Sequence, residues 1–278
     1  MIFEKVSCNL CGHKYHKVIE EGEKPFTVVK CKNCSLVFVY PHPDYKQLKE
    51  HYDATYYREW VEGQKSDRKR MWSRRLRGLE KFRQGGSILD VGCGEGTFLQ
   101  VAKKNGWTIN GTELSPYGAK YATNLLGVGI FCGELYDAGF PENSFDVITM
   151  WHVLEHVTDP RGYLTEIQRV LRSDGLLVIA VPNVKNLLMK IAYRIVKRRR
   201  MKLFMRGEKE VHLYHFSPQT IKAYLDTTGF ECLRLRSDFA IVENSKKLIN
   251  AISTIPYYVA GIKIFNAIEV YSIPTKDS

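Results

Sequence analysis

Short apolar runs and amphipathic stretches alternate through the middle of the chain. SILDVG (87–92), WTINGTEL (107–114), GIFCG (129–133), FDVITM (145–150) and GLLVIAVPN (175–183) read as strands. Between them, TFLQVAKKNG (97–106), PYGAKYATNLLG (116–127) and PRGYLTEIQRVL (160–171) carry the apolar spacing of helices. Buried strands alternating with amphipathic helices predict a parallel α/β sheet with right-handed crossovers. Asp159-Pro160 and Ser217-Pro218 are helix starts, with Gly175 and Gly229 as the matching stops. Earlier, PFTVVK (25–30) and SLVFVY (35–40) are β-like, PHPD (41–44) breaks the chain, and about 44–83 reads as a polar helix. The tail offers a strand at FECLRLRSDF, an apolar-basic helix at 244–265 and a last strand at AIEVYSIPT.

Composition narrows the class. A hydrophobic share of 44% and a charged share of 26% are those of a water-soluble globular protein. The N-terminus lacks a basic-then-apolar leader and no apolar run is long enough to span a bilayer, so a cytoplasmic address is expected. The net charge of +11 is uneven. Bases exceed acids by 7 over residues 1–85 and by 8 over 185–210, while acids exceed bases by 5 over 86–184. An acidic middle between basic flanks favours a partner with negative charge.

In ILDVGCGEGTFL (88–99) an apolar strand ends at Asp90, glycines follow at 92, 94 and 96, and a helix begins. Such glycines let the backbone turn sharply and approach a ligand at the carboxyl edge of a sheet. The spacing is one residue shorter than the dinucleotide fingerprint, and Glu95 would repel a pyrophosphate, so a nicotinamide cofactor is disfavoured. Glu113, ending the next strand, suits the hydroxyls of a ribose.

LDVGCGEG, TELS, PENSFDVI with WHVLEHV, and LRSDGLLVIAVPN occur in the order found in class I S-adenosylmethionine-dependent methyltransferases, which the chain resembles over 87–183 and more weakly through 212–230. The resemblance implies a Rossmann-like, mostly parallel seven-stranded sheet whose last strand is antiparallel. It implies that Asp90, Gly92, Cys93 and Gly94 hold the methionine part of the cofactor, with Gly96 serving the turn. Glu113 would take the ribose, Leu114 and Leu135 would flank the adenine, and Glu134 would bond its amino group. Trp151 and His152 would border the methyl-transfer centre.

WHVLEHV also spells the H-x-x-E-H of an inverted zinc protease, with His152 and His156 as ligands. That motif needs one continuous helix, and Asp159-Pro160 follow too soon to allow it. If the acceptor is a hydroxyl, a base near neutrality must take its proton, and His152, His156, His212 and His215 are the candidates. His152 and His215 are the stronger pair, since Glu155-His156 reads equally as a structural tie.

Cys8-x2-Cys11 and Cys31-x2-Cys34 have the spacing of two metal knuckles, which predicts a structural zinc in a ribbon-like module over 1–43. A rubredoxin-like iron site shares the spacing, but electron transfer has no place beside methyl transfer. The pattern C-x2-C-G…C-x2-C-S-L-V-F…P-x-P…Y-Y resembles the zinc module of bacterial methyltransferases acting on sugars in surface-polysaccharide and antibiotic pathways. The chain lacks the second α/β domain of the sugar C-methyltransferases, which favours O-methylation of a sugar, glycan or small molecule. An RNA methyltransferase and a non-catalytic cofactor-binding protein stay open as rivals. Residues 44–84 would form an acceptor-side linker, with Tyr56 and Tyr57 lining the pocket, and 85–278 the methyltransferase domain.

KNLLMKIAYRIVKRRRMKLFMRGEK (185–209) is an insert in that domain, with Leu187, Leu188, Ile191 and Ile195 on one helical face and Lys190, Arg194, Lys197 and Arg198 largely opposite. Three readings fit it: a helix docked on its own domain, contact with an anionic membrane surface through 185–206 at the inner face, or nucleic-acid contact.

Overall fold

The computed structural model describes residues 7–42, 65–205, 211–238 and 265–275. Tyr56, Tyr57, the whole of the 44–64 stretch and nearly all of the 244–265 helix expected from the sequence lie outside the described residues.

The N-terminal part forms β1 (His16–Glu21), β2 (Thr27–Cys31) and β3 (Val37–Tyr40), an antiparallel meander. Helix α1 (Lys65–Leu79) leads into β4 (Ser87–Val91), α2 (Thr97–Lys104), β5 (Thr108–Glu113), α3 (Pro116–Leu126) and β6 (Phe131–Cys132). Next come a single 3₁₀ turn (Leu135–Ala138), β7 (Phe145–Trp151), α4 (Pro160–Val170), β8 (Leu171–Pro182) and α5 (Leu187–Lys197). The described chain closes with β9 (Tyr214–His215), α6 (Pro218–Thr227), β10 (Phe230–Ser237) and β11 (Ala267–Pro274).

Seven strands make one sheet in the order β10-β11-β8-β7-β4-β5-β6. Its β8-β7-β4-β5-β6 pairings are parallel, and β11 runs antiparallel between β8 and β10. Strand β8 is buried from Gly175 to Val181, as expected of a strand covered on both faces. The fold is therefore the Rossmann-like α/β architecture expected, its late strands antiparallel.

Local signals explain most element ends. Asp159 accepts the Gly162 amide at the start of α4, and Ser217 forms a capping box with Thr220 at the start of α6, each with proline next in line. Gly229 has a φ of 77° beyond α6, the left-handed geometry that ends helices. Gly175 does not act this way. Helix α4 stops at Val170, and Gly175 lies inside β8, where an added Cβ would meet Leu171 at 2.7 Å.

The N-terminal meander does not stand apart. β9, from beyond the insert, pairs with the outer edge of β3 and makes a four-stranded sheet in the order β1-β2-β3-β9. Asn9 ties the cysteine region to two helices, donating to Asp159 at 2.8 Å and accepting from the Arg161 amide at 3.1 Å and the Tyr224 hydroxyl at 3.0 Å. Glu20 accepts the amides of Leu203 and Phe204 within the insert.

Replacing Asn9 with Ala strands three polar partners together, and such losses cost about 1–3 kcal/mol. Urea unfolding of Asn9→Ala should shift its midpoint down in a single transition. A separate early transition of the N-terminal part would show instead that the two sheets unfold independently.

Candidate functional site

The carboxyl edge of the large sheet brings together the residues expected to bind a ligand. Gly92, Gly94 and Gly96 hold φ values of 69°, 57° and 79°, so the loop after β4 requires left-handed backbone three times in five residues. Gly96 also starts α2, and a Cβ there would lie 3.0 Å from both Ala122 and Leu126 of α3. The Cys93 side chain packs beneath the loop, buried beside Gly111, so this residue faces any ligand through its main chain.

Carboxylates dominate the edge. Asp90 is buried and accepts the Thr149 hydroxyl at 2.6 Å. Burial pushes its carboxyl up from 3.8 to about 8, with Thr149 and Arg75 opposing and the negative charges of Glu113 and Glu95 adding to the rise. Glu113 is buried too, accepting the Gly94 amide at 2.9 Å and the Ser115 amide at 2.8 Å. A carboxylate offers about four lone-pair sites, the acceptor chemistry that hydroxyl donors need. Glu95 pairs with Arg68 of α1 and accepts Thr97 at 2.9 Å. Leu114 is half-buried at the rim, Glu134 precedes the 3₁₀ turn, and Leu135 is buried in the main core.

Beyond β7 the expected centre is built differently from the sequence reading. Trp151 turns towards α1 and α2, with ring centroids 5.4 Å from Phe98 and 5.9 Å from Trp72 and the Arg75 guanidinium 4.5 Å from its own. His152 takes a left-handed backbone, φ 59°, rare for a residue with a Cβ. Its Nε2 lies 3.3 Å from Asp238 and its Nδ1 3.5 Å from Glu155. Burial lowers its basicity, but the two carboxylates outweigh that and lift its pKa to about 9. In this arrangement His152 is an imidazolium at neutral pH, with no lone pair for taking a proton.

Residues 154–156 form a turn, closed by the His156 amide on the Val153 carbonyl at 2.9 Å, and no helix runs through the motif. His156 Nδ1 donates to the Val211 carbonyl at 2.8 Å. His215 sits in β9, buried, and burial first and then the neighbouring His212 and Lys190 hold its pKa down to about 3. His215 is thus neutral, within the smaller sheet and not in the glycine loop.

Sequence reasoning missed Arg68, Arg75, Thr149 and Asp238. Arg68, Trp72 and Arg75 share one face of α1 at i, i+4 and i+7, a signal that was legible. Arg75 pairs with Asp238, which lies at the end of β10, and no local pattern joins those two positions.

The four cysteines also converge. Sγ atoms of Cys8 and Cys34 are 3.4 Å apart and those of Cys11 and Cys31 3.7 Å, with all four within 4.8 Å of one another. Tetrahedral zinc thiolates at about 2.3 Å have edges of about 3.8 Å, so the set fits such an ion. The Gly12 amide on the Cys8 carbonyl at 2.8 Å and Ser35 on Cys31 at 3.1 Å close two matching turns.

On helix α5, Leu187, Ile191 and Ile195 of the expected apolar face are exposed. Met189, Lys190, Ala192 and Tyr193 are its half-buried residues, while Leu187, Ile191, Ile195 and Val196 are 52, 44, 71 and 75% exposed. Arg194, Lys197, Arg198, Arg199 and Arg200 are exposed beside them. Among the described residues no helix is long and apolar enough to cross a membrane.

Comparison with known proteins finds that the model of a methyltransferase domain matches residues 57–235. Over 108 residues the chain is 33% identical to the 2-methyl-6-phytyl-1,4-hydroquinone methyltransferase of Synechocystis sp., covering 37% of this chain and 34% of that protein. Over 101 residues it is 34% identical to ajmaline N-methyltransferase of Rauvolfia serpentina, covering 34% of this chain and 35% of that one. The similarity thus spans about a third of the length of these curated relatives. A SAM-dependent methyltransferase from Archaeoglobus fulgidus superposes with a TM-score of 0.51 at 18% identity, over 74% of this chain and 94% of that one, a likeness of fold.

Proposed function

Because the chain belongs to the class I methyltransferase-domain family, we propose that it binds S-adenosylmethionine at the glycine loop and methylates an oxygen of a sugar, glycan or other small-molecule acceptor. The carrying observation is the carboxylate cradle of Asp90, Glu95 and Glu113. A buried carboxyl raised to about 8 by burial and by two acidic neighbours is a site short of positive charge. The cofactor brings a sulfonium and an ammonium, and its methyl group is the electrophile of the reaction. Asp90 and the loop glycines would hold its methionine part and Glu113 its ribose. Arg68 and Arg75 brace the cradle by holding Glu95 and Asp238. The protein's contribution to such a transfer is mainly alignment.

The small-molecule reading is supported by the two relatives, which are named for a phytyl hydroquinone and for ajmaline. The outward apolar stripe of α5 and the bases beside it favour an acceptor met at an anionic bilayer surface. Structural zinc on Cys8, Cys11, Cys31 and Cys34 is part of the same proposal, since four thiolates so close together need a cation between them. Cys34 is pushed up by its contact with Cys8 and by burial.

Cation binding favours ionised Asp90, so uptake of the cofactor should release a proton below about pH 8, and affinity should rise with pH until it levels there. The raised carboxyl also means that the ligand-free fold loses stability as pH climbs from the ordinary carboxylate range towards 8. Calorimetry in buffers of different ionisation heat reads the proton, and Asp90→Asn should abolish it. Heats that are independent of buffer at pH 7 would remove the cradle argument.

One zinc per chain should survive dialysis, and stripping it with a strong chelator or by Cys34→Ser should lower Tm by several degrees. A Tm that does not respond to metal removal refutes a structural ion.

Vesicles containing anionic lipid should float the protein and neutral vesicles should not. Ile191→Ser with Ile195→Ser should abolish flotation while changing stability by no more than about 0.5 kcal/mol. Transfer of labelled methyl to RNA, with none to lipid or glycan fractions, would overturn the acceptor class.

A further inference from the structure

Glu155 is 1% exposed, and neither oxygen of its carboxylate accepts a hydrogen bond from a described residue. A buried carboxylate without a direct hydrogen bond is poorly satisfied even where a charged ring stands nearby. The nearest groups are two imidazoles of the same turn, His152 Nδ1 at 3.5 Å and His156 Nε2 at 4.0 Å. The orientation of His156 is fixed from behind. Its Nδ1 donates to the Val211 carbonyl, so in the neutral ring the lone pair is on Nε2, the nitrogen turned to Glu155. A carbonyl holding the far nitrogen of an imidazole is how proteins orient metal ligands. His212, from the strand-side segment after the insert, completes the group, its ring centroid 4.9 Å from that of His156. One ligand atom from each of Glu155, His156 and His212 falls within 4.8 Å of the others.

We propose that Glu155, His156 and His212 form a divalent-cation site, separate from the cysteine cluster, with open positions for an acceptor hydroxyl. Two imidazole nitrogens and one carboxylate suit Mn²⁺, Fe²⁺, Co²⁺ or Zn²⁺, and they leave further positions vacant for solvent or substrate. Ligand distances of about 2.1 Å bring the three atoms to roughly 3.0–3.4 Å apart, a closure of about 1 Å that side-chain rotation supplies. The backbone is already arranged for it, because the Leu213 and Tyr214 amides both donate to the Glu155 carbonyl, at 2.8 and 3.1 Å, and so pin the His212 segment against the turn. The ligand set also differs from the zinc-protease spelling, since His152 is engaged by Asp238 and is not one of the three.

The acceptor part of the proposal rests on the methyl-transfer reading. A cation on an acceptor hydroxyl favours its alkoxide, and the proton passes to water. The oxygen then forms its bond to the methyl carbon as the carbon–sulfur bond breaks, leaving a neutral thioether.

The test uses the full-length protein with its tightly held zinc in place and titrates Mn²⁺, read by electron paramagnetic resonance of the free ion. One additional Mn²⁺ per chain is expected, weakened at least about tenfold in Glu155→Gln and in His212→Gln. His212 is only half-buried, so its replacement tests the site even where the Glu155 variant fails to fold. Calorimetry with S-adenosylmethionine on the same samples separates the two readings, because cofactor binding without the extra manganese sinks the cation site alone. Equal manganese binding by wild type and both variants sinks it as well.

Discussion

The top of the large sheet is organised around a carboxyl group that water does not reach. Asp90 lies one residue before the end of β4, a strand buried from Ile88 onward, its carboxylate accepts from Thr149, and two further acids lie within electrostatic range. Putting like charges together in a region of low dielectric is unfavourable on its own. The neighbouring elements respond with arginines from a single helix. Arg68 reaches Glu95 and Arg75 reaches Asp238, and both side chains are almost wholly buried. Helix α1 therefore acts as an electrostatic brace laid across the carboxyl edge, and the charge of Arg75 offsets the burial of Asp90 only in part.

That arrangement separates two kinds of histidine. His152 lies between Asp238 and Glu155 and is charged; His215 is enclosed by the smaller sheet and is neutral. Both were candidate bases in the sequence, so residue type alone did not define their chemistry. What differs is the neighbourhood, two carboxylates in one case and imidazole, lysine and apolar burial in the other.

Much of the fold was legible because strands buried on both faces announce themselves as apolar runs, and the glycine loop has few alternatives. The Asp159-Pro160 and Ser217-Pro218 starts were readable for the same reason, as local chemistry decides them. Gly175 misled because glycine serves in strands as well as at helix ends, and only tertiary packing against Leu171 distinguishes the two. β1 and β9 were not seen at all. The first alternates exposed and half-buried positions at a sheet margin with no matching apolar alternation, and the second is two residues long and exists through pairing with β3. At the site, the cofactor-side acids were readable from motif position, whereas Arg75 and Asp238 meet across 163 positions of sequence.

The pairing of β3 with β9 carries a consequence for synthesis. The cysteine-bearing meander gains its fourth strand from residues made about 175 positions later, after most of the parallel sheet has left the ribosome. Until then Val37 and Phe38 present an open strand edge, the feature that invites pairing with other chains. An ion held by the four cysteines would keep the first three strands in register during that wait, and its early delivery would then protect the nascent polypeptide kinetically.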